Sequence, residues 1–297
     1  FSTAEAAGED ADSAIEVGEW RLPLGGEEAR NLRRGPAFWD YLIERGIDPS
    51  LYYLPCTYPA QRPQGSGRFQ CVSGMGTPDL VDSYGVFSYY TSDPFEDYPD
   101  LEGGEIVYVD VNRNVVRSKL LGPVNSLRTP RDTSADPYAN TATIPFTVYL
   151  DPEANGARLD IQGQSILLKR GQYSPWVKLS FDLVPVIGTV HGIARFLLKG
   201  VAPHFQLYVT PINIDPSAQA APVTYPAEFG AEIARDIGAF WTKGLPADVK
   251  AFDHKVINDE EYVGQAELIL KERMALFDHQ WSRFKDGLFY FYVSSTD

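Results

Sequence analysis

The run Leu288-Phe-Tyr-Phe-Tyr-Val293 constrains the fold most, because each of its side chains is apolar or aromatic. A strand that is apolar on both faces is typical of a parallel sheet covered by helices on both sides. The preceding segment begins with the capping-box pattern Asn258-Asp-Glu-Glu261 and continues with apolar residues at helical spacing up to Gly287. These residues are Val263, Ala266, Leu270, Met274, Phe277, Trp281 and Phe284. We expect residues 288–293 to form an interior strand of a mainly parallel sheet, with this helix packed on it.

A second helix-strand unit lies near the start of the chain. Residues 37–45 have apolar side chains at helical spacing and are followed by Gly46, a helix stop, and by an apolar strand at Ser50–Pro55. A helix followed at once by a buried strand is one unit of a layered fold. The predicted fold class is therefore α/β, a mainly parallel sheet layered with helices, interrupted by an antiparallel β-rich insertion.

The insertion is predicted from three stretches that alternate around turns, at residues 104–120, 158–168 and 176–183. No helical pattern separates them, so they cannot supply the right-handed crossovers that join parallel strands. We expect residues 1–102 to be part of the α/β core with a loop-like N-terminal stretch. Residues 103–215 form the β-rich insertion or cap, and residues 216–297 return to the core.

Charge and composition limit the classes of partner that the chain can bind. With 26 Lys and Arg against 40 Asp and Glu, the formal net charge is −14, which excludes a nonspecific grip on nucleic acid as a bulk polyanion. A small phosphorylated substrate remains compatible, since a bound metal ion reverses the local sign. The sequence has no membrane segment, and its two cysteines allow one disulfide at most. Because the last apolar run leads directly to Asp297, we expect a fragment; localisation and oligomeric state are left open.

The first candidate site residue is Asp297, in the polar run Ser294-Ser-Thr-Asp297 that follows the final strand. In parallel sheets ligands bind beyond the carboxyl ends of the strands, and a carboxylate there is a good ligand for a divalent metal. The alternative is that Asp297 caps a following helix. Spacing leaves both readings open.

The second candidate is the turn Ser73-Gly-Met-Gly-Thr-Pro-Asp79, whose glycines permit close backbone approach and whose amides can hold an anion. Ser73, Thr77 and Asp79 are the side chains that would face an active site. A purely structural turn is the alternative. The four histidines show no H-E-x-x-H spacing, and Cys56 with Pro59 and Arg62 does not fit the sulfatase signature, which needs Pro two residues and Arg four residues after the Cys.

Several blocks together resemble the type I phosphodiesterase/nucleotide pyrophosphatase-like branch of the alkaline phosphatase superfamily. They extend over most of the chain from residue 34 onward, and their common order is more specific than any one of them. The blocks are Phe38-Trp-x-x-Leu42 to Gly46-Ile47, Pro55-Cys-Thr-Tyr-Pro59, Ser73-Gly-Met-Gly-Thr-Pro-Asp-Leu80, Gly85-Val-Phe-Ser-Tyr-Tyr-Thr91, Tyr208-Val-Thr-Pro-Ile-Asn-Ile-Asp-Pro216 and Ser295-Thr-Asp297.

The resemblance implies an α/β enzyme with a Thr or Ser nucleophile and two divalent metal ions, commonly zinc. It places the nucleophile upstream of Phe1 and most histidine ligands downstream of Asp297, which alone matches a metal-ligand position. We therefore expect the central portion of a metal-dependent phosphoric ester hydrolase that is inactive by itself, with no catalytic residue inside the chain. The alternative is a noncatalytic module whose β-rich half presents Trp176 to a glycan or a protein partner.

Overall fold

The chain has 297 residues, and a computed structural model describes residues 4–7, 14–17, 20–23, 28–128, 131, 133–134, 136, 138–184 and 188–294. The helices of this part are α1 (Phe38–Glu44), α2 (Ala227–Ile237), α3 (Val249–Asp253) and α4 (Asp259–Trp281). The strands are β1 (Ala4–Ala7), β2 (Ala14–Val17), β3 (Trp20–Pro23), β4 (Glu28–Asn31), β5 (Pro49–Leu54), β6 (Gln70–Ser73), β7 (Phe87–Thr91), β8 (Gly104–Tyr108), β9 (Val115–Val124), β10 (Thr141–Asp151), β11 (Gly156–Ile161), β12 (Gln164–Lys169), β13 (Val177–Val184), β14 (Gly188–Ala194), β15 (Phe196–Gly200), β16 (Gln206–Val209), β17 (Asn213–Ile214), β18 (Thr224–Tyr225) and β19 (Leu288–Phe291).

The predicted fold class is wrong. The described chain is rich in β structure, and its strands form several small sheets that contain antiparallel pairs, instead of one parallel sheet layered with helices. The physical reason lies in the connections. Most consecutive strands have no helix between them, and the short turns that join β10 to β11 and β11 to β12 can only return the chain antiparallel to itself.

Parallel pairing is concentrated in one four-stranded sheet with the order β18-β6-β5-β19. In it β5 pairs in parallel with both β6 and β19, while β18 is antiparallel to β6. The run at the end of the chain is thus a parallel strand, as predicted. Within the described residues, however, it lies at an edge of the sheet and not in its interior, and its four residues are half-buried.

The antiparallel region has its own sheet, a meander in the order β12-β11-β10-β9. Buried and exposed residues alternate along β10 and β11, and the buried ones form the largest hydrophobic cluster together with residues of β13 to β16. The predicted hairpin at residues 158–168 is confirmed by the pairing of β11 with β12. The predicted hairpin at 104–120 is wrong, because β8 and β9 belong to different sheets.

A second mixed sheet, in the order β15-β16-β7-β8, joins distant parts of the sequence. Its parallel pair, β7 with β8, spans the boundary predicted at residues 102 and 103. The segment expected to be loop-like contains the short pairs β1-β4 and β2-β3. The division into core, insertion and returning core stays a prediction.

Helix α4 begins as predicted, because Asn258 and Glu261 form a reciprocal capping box. Its aromatic residues Phe277 and Trp281 pack on Phe289 of β19, with ring centroids 5.8 Å and 5.2 Å apart. Of the rest of its predicted apolar face, Ala266 and Phe284 are half-buried and three residues are exposed, and Trp281 is itself 53% exposed despite its contact with Phe289. The most exposed apolar residues are Val263, Leu270, Met274 and Trp281, whereas Gln265, Arg273 and Gln280 are buried beside Ile269 and Leu276.

Candidate functional site

The carboxyl ends of three neighbouring parallel strands form the first candidate site. Strands β5, β6 and β19 end at Leu54, Ser73 and Phe291, on the same edge of their sheet. Ligands of parallel sheets are bound at this edge, where the loops after the strands converge. We refer to it as the carboxyl edge.

Hydrogen bonds join the loops after β5 and β6 at the carboxyl edge. The Thr57 hydroxyl donates to the Leu54 carbonyl at 2.6 Å and accepts from the Gly74 amide at 3.2 Å, and Ser73 Oγ donates to the Thr57 carbonyl at 3.3 Å. Gly74 has no room for a side chain, since a Cβ there would lie 2.1 Å from the Tyr53 carbonyl oxygen. The turn after Ser73 is therefore tightly seated against β5.

Thr77 and Asp79 are both buried inside this turn. The Thr77 hydroxyl donates to the Gly74 carbonyl at 2.7 Å. The Asp79 carboxylate accepts hydrogen bonds from the Val81 amide, the Ser83 amide and hydroxyl, and the Val86 amide, at 2.7 to 3.1 Å. These contacts give the predicted site residues a structural task, to fix the shape of the turn. Their contact with a substrate stays a prediction.

A group of buried charges lies next to the turn, and of its members Lys243, Asp248 and Asp79 the sequence singled out only Asp79. Lys243 is buried, and burial lowers the pKa of its ammonium group while Asp248 and Asp79 oppose that shift. Burial likewise raises the pKa of both carboxyl groups, an effect that Lys243 opposes. Asp248 caps α3 through the Ala251 amide and accepts from the Tyr208 hydroxyl at 2.6 Å. The turn itself is joined to this group by hydrogen bonds, from Lys243 Nζ to the Tyr84 carbonyl at 3.5 Å and from the Gly244 amide to the Thr77 carbonyl at 2.9 Å.

Arg273 of α4 lies beside the carboxyl edge and is 1% exposed. Its guanidinium stacks on the ring of Tyr53 at 3.7 Å, and Nη1 donates to the Tyr292 carbonyl at 3.2 Å. Among the described residues, no carboxylate lies within 4.0 Å of it. Burial lowers the pKa of the group. The contact with Tyr292 fixes the chain just after β19.

Trp176 lines a separate cavity of about 420 Å³ between the β-rich region and helices α2 and α4. Arg195 lies over its ring at 4.5 Å and is paired with Glu272, which also accepts the indole N–H at 2.9 Å. Burial raises the pKa of the Glu272 carboxyl, opposed by Arg195. Trp241 packs edge-on against Trp176 at 4.5 Å. The other residues of the wall are mainly apolar: Pro175, Ile237, Gly238, Ala239, Phe240, Leu268, Lys271 and Ala275.

The implied two-metal centre does not fit the described residues. In this part of the chain no group of three or more His, Cys, Asp or Glu side chains is placed to hold a metal ion. Asp297, the predicted metal ligand, lies outside the described residues. His191 contacts the Ser180 hydroxyl at 3.0 Å, and His279 contacts Asp236 at 3.2 Å, so both have polar partners within the protein. Cys56 and Cys71 are free thiols.

The comparisons with known proteins assign the chain to no family. A scan against protein-family models, a search of the curated proteins and a search of the solved structures each found no match. The resemblance to the alkaline phosphatase superfamily therefore stays a prediction. Among the described helices, none combines the length and the apolar composition that a membrane-spanning helix needs.

Proposed function

We propose that the chain is the central portion of a metal-dependent phosphoric ester hydrolase of the phosphodiesterase or phosphatase type. One observation carries the proposal. Two sequence blocks with the superfamily pattern, 55–59 and 73–80, begin at the ends of β5 and β6, which share the carboxyl edge with β19, while the third block, 295–297, follows β19 in the sequence and lies outside the described residues. Strands β6 and β19, which are more than 200 residues apart in the sequence, thus end at one edge, and α/β enzymes bind ligands at this edge.

The described residues would serve this reaction as a scaffold. The Asp79 hydrogen bonds and the buried charges around Lys243 keep the turn after β6 in one shape, and Arg273 fixes the backbone after β19. Such support keeps reacting groups within the narrow geometry that catalysis needs. Residues outside those described would supply the nucleophile and the ligands of the two divalent metal ions, which are commonly zinc in the superfamily. The substrate is expected to be small and phosphorylated.

The test compares two proteins, the 297-residue chain and the same chain with its native flanking sequence at both ends. Each is assayed with a 4-nitrophenyl phosphate monoester, diester, phenylphosphonate and sulfate, before and after chelation and zinc addition. We expect metal-dependent turnover of at least one phosphorus ester by the extended protein, and none above a buffer-and-metal control by the chain alone. Chelator-sensitive turnover by the chain alone would mean that the active site is misplaced, and an inert extended protein would refute the hydrolase.

A second candidate, a noncatalytic glycan- or protein-binding module, is favoured by the cavity at Trp176. One face of the indole ring is covered by Arg195, and the pairing with Glu272 holds the ring in place against the cavity. A fixed aromatic wall of this kind suits an apolar or sugar ligand. A glycan array probed with the chain and with Trp176→Ala separates the two functions, since a hit lost in the variant would favour the module.

A further inference from the structure

A second cavity, of about 240 Å³, lies on the face of the parallel sheet that α1 covers. Its lining includes the buried residues Cys71 of β6, Phe69 and Trp39 and the exposed residues Arg33 and Arg62. We call it the arginine pocket. The other residues of its wall are Asn31, Gly35, Asp40, Thr57, Pro59, Gln61, Pro63 and Gln64. The pocket is thus predominantly polar and lies next to the loop that follows β5.

The segment that carries Arg33 is pinned in place by Asn31. The Asn31 amide donates to the carbonyl groups of Cys56 and Tyr58 at 3.0 Å and 2.7 Å, while its oxygen accepts from the Arg33 amide at 2.8 Å. The Arg33 guanidinium in turn lies 4.5 Å above the ring of Trp39. Both the backbone and the side chain of Arg33 are therefore positioned before any ligand arrives, which lowers the entropy that binding costs.

Among the described residues that line the pocket, Asp40 is the one carboxylate, and both of its oxygens already have partners. Oδ2 accepts from the Ala37 amide at 2.7 Å, at the start of α1, and Oδ1 accepts from the Gln64 amide at 2.8 Å. Asp40 is 5% exposed and forms no ion pair with either arginine. Instead it fixes the loop from Gln61 to Gln64, the second wall of the pocket.

The positive charges of the two arginines are not neutralised by ion pairs with described residues. Neither Arg33 nor Arg62 has a carboxylate within 4.0 Å in the described part of the chain, although acidic residues outnumber basic ones by 40 to 26. A guanidinium group stays protonated and presents paired N–H donors that match the oxygens of a carboxylate or a phosphate. Two such groups at one cavity create a local positive site on an acidic protein.

We propose that the arginine pocket binds a small oxyanion, a phosphate or carboxylate group held by Arg33 and Arg62. The cavity is large enough for a group of this size together with water, and Gln61 and Gln64 add amide donors at its rim. This inference is independent of the proposed hydrolase, because it needs neither turnover nor a metal ion.

The test is isothermal titration of the chain with inorganic phosphate and, separately, with malonate at low ionic strength, where exposed charges are least screened. We expect saturable binding of at least one of them, and Arg33→Gln and Arg62→Gln should each weaken it about 10-fold or more. The two titrations distinguish a phosphate site from a carboxylate site. Arg34→Gln is the matched control, since Arg34 is an exposed neighbour that does not line the pocket.

Unchanged affinity in Arg34→Gln, together with loss in the two pocket variants, supports the site. Equal weakening by Arg34→Gln would reduce the effect to general electrostatics, and the absence of saturable binding would also overturn the proposal. All three substitutions are at exposed positions, so far-ultraviolet circular dichroism should remain unchanged and show that the variants are folded. If the chain binds phosphate but hydrolyses no ester, the result supports the arginine pocket. The proposed hydrolase is then tested separately by the turnover assay of the extended protein.

Discussion

The antiparallel meander and the parallel sheet with α4 differ in how they use polar residues. In the meander, buried residues of β10 and β11 alternate with more exposed ones, and all the buried residues of these two strands are apolar. Beside the parallel strands, buried positions of α4 hold Gln265, Arg273 and Gln280, and apolar residues lie outside. The meander is stabilised mainly by apolar burial, whereas the parallel region also depends on buried hydrogen bonds and charges.

This difference indicates where function is to be sought. A one-sided apolar sheet is explained completely by the core that it covers. Buried polar and charged groups cost free energy unless they are paired, so an accumulation of them beside the carboxyl edge points to positions that need a fixed geometry. The predictions below test this contrast, from the largest expected effect to the smallest.

Asp79→Ala should produce the largest loss of stability. The substitution leaves three backbone amides and the Ser83 hydroxyl without their acceptor. It also removes a carboxylate that raises the pKa of Lys243 against the effect of burial. We expect the free energy of unfolding to fall by about 3–5 kcal/mol, measured by urea denaturation. The control is Asp97→Ala, an exposed aspartate, with a change within about 0.5 kcal/mol. Equal effects of the two would contradict a structural task for the turn.

In the meander the same measurement should follow the alternation of β11 and β12. Leu159 is 0% exposed and Leu167 is 79% exposed, so Leu159→Ala opens a cavity in the core while Leu167→Ala removes only surface contacts. We expect losses of about 3 kcal/mol and less than about 0.5 kcal/mol, respectively. A register shifted by one residue would reverse the order of these two values.

On α4 the structure and the sequence pattern predict different results. The double variant Leu270→Gln/Met274→Gln changes two residues that are 38% and 39% exposed. We expect the free energy of unfolding to change by less than about 1 kcal/mol, because neither side chain leaves a closed core. A loss above about 4 kcal/mol would mean that this face of the helix is buried, as its periodicity predicted.

The smallest effect is a dependence on pH. Because burial raises the pKa of Asp248 above its ordinary value, the folded state binds the proton more tightly than the unfolded state. The contribution of Asp248 to stability is therefore fully present below the ordinary pKa and is lost as the pH rises through the raised one. Stability of the native chain relative to Asp248→Asn should decrease as the pH is raised from 4, in denaturation curves at matched ionic strength. An increase of this relative stability with pH would contradict the prediction.

Local patterns were sufficient for some elements and not for others. The capping box at Asn258 and the hairpin of β11 and β12 depend on neighbouring residues, and both were predicted correctly. The pairing of β7 with β16 and the buried group around Lys243 join residues more than 100 positions apart, which no periodicity encodes. The fold class was wrong for this reason, since a two-sided apolar run does not specify its partners or its place in the sheet.

The arginine pocket was missed for a similar reason. Arg62 was noticed in the sequence only because its spacing from Cys56 failed a known signature. What defines the pocket is the Asn31 side chain reaching the loop after β5 and the position of Arg33 over Trp39.

The most direct test of the proposed hydrolase is Asp297→Asn in the protein with its native flanking sequence, with metal content and ester turnover measured on the same preparation. The matched control is Asp286→Asn, near the opposite end of β19. If Asp297 binds a metal ion, the variant loses metal and turnover falls about 10²-fold or more, because the ion no longer stabilises the charged transition state, while the control is unaffected. A helix cap would accept Asn nearly as well as Asp, so unchanged occupancy and rate would contradict the account.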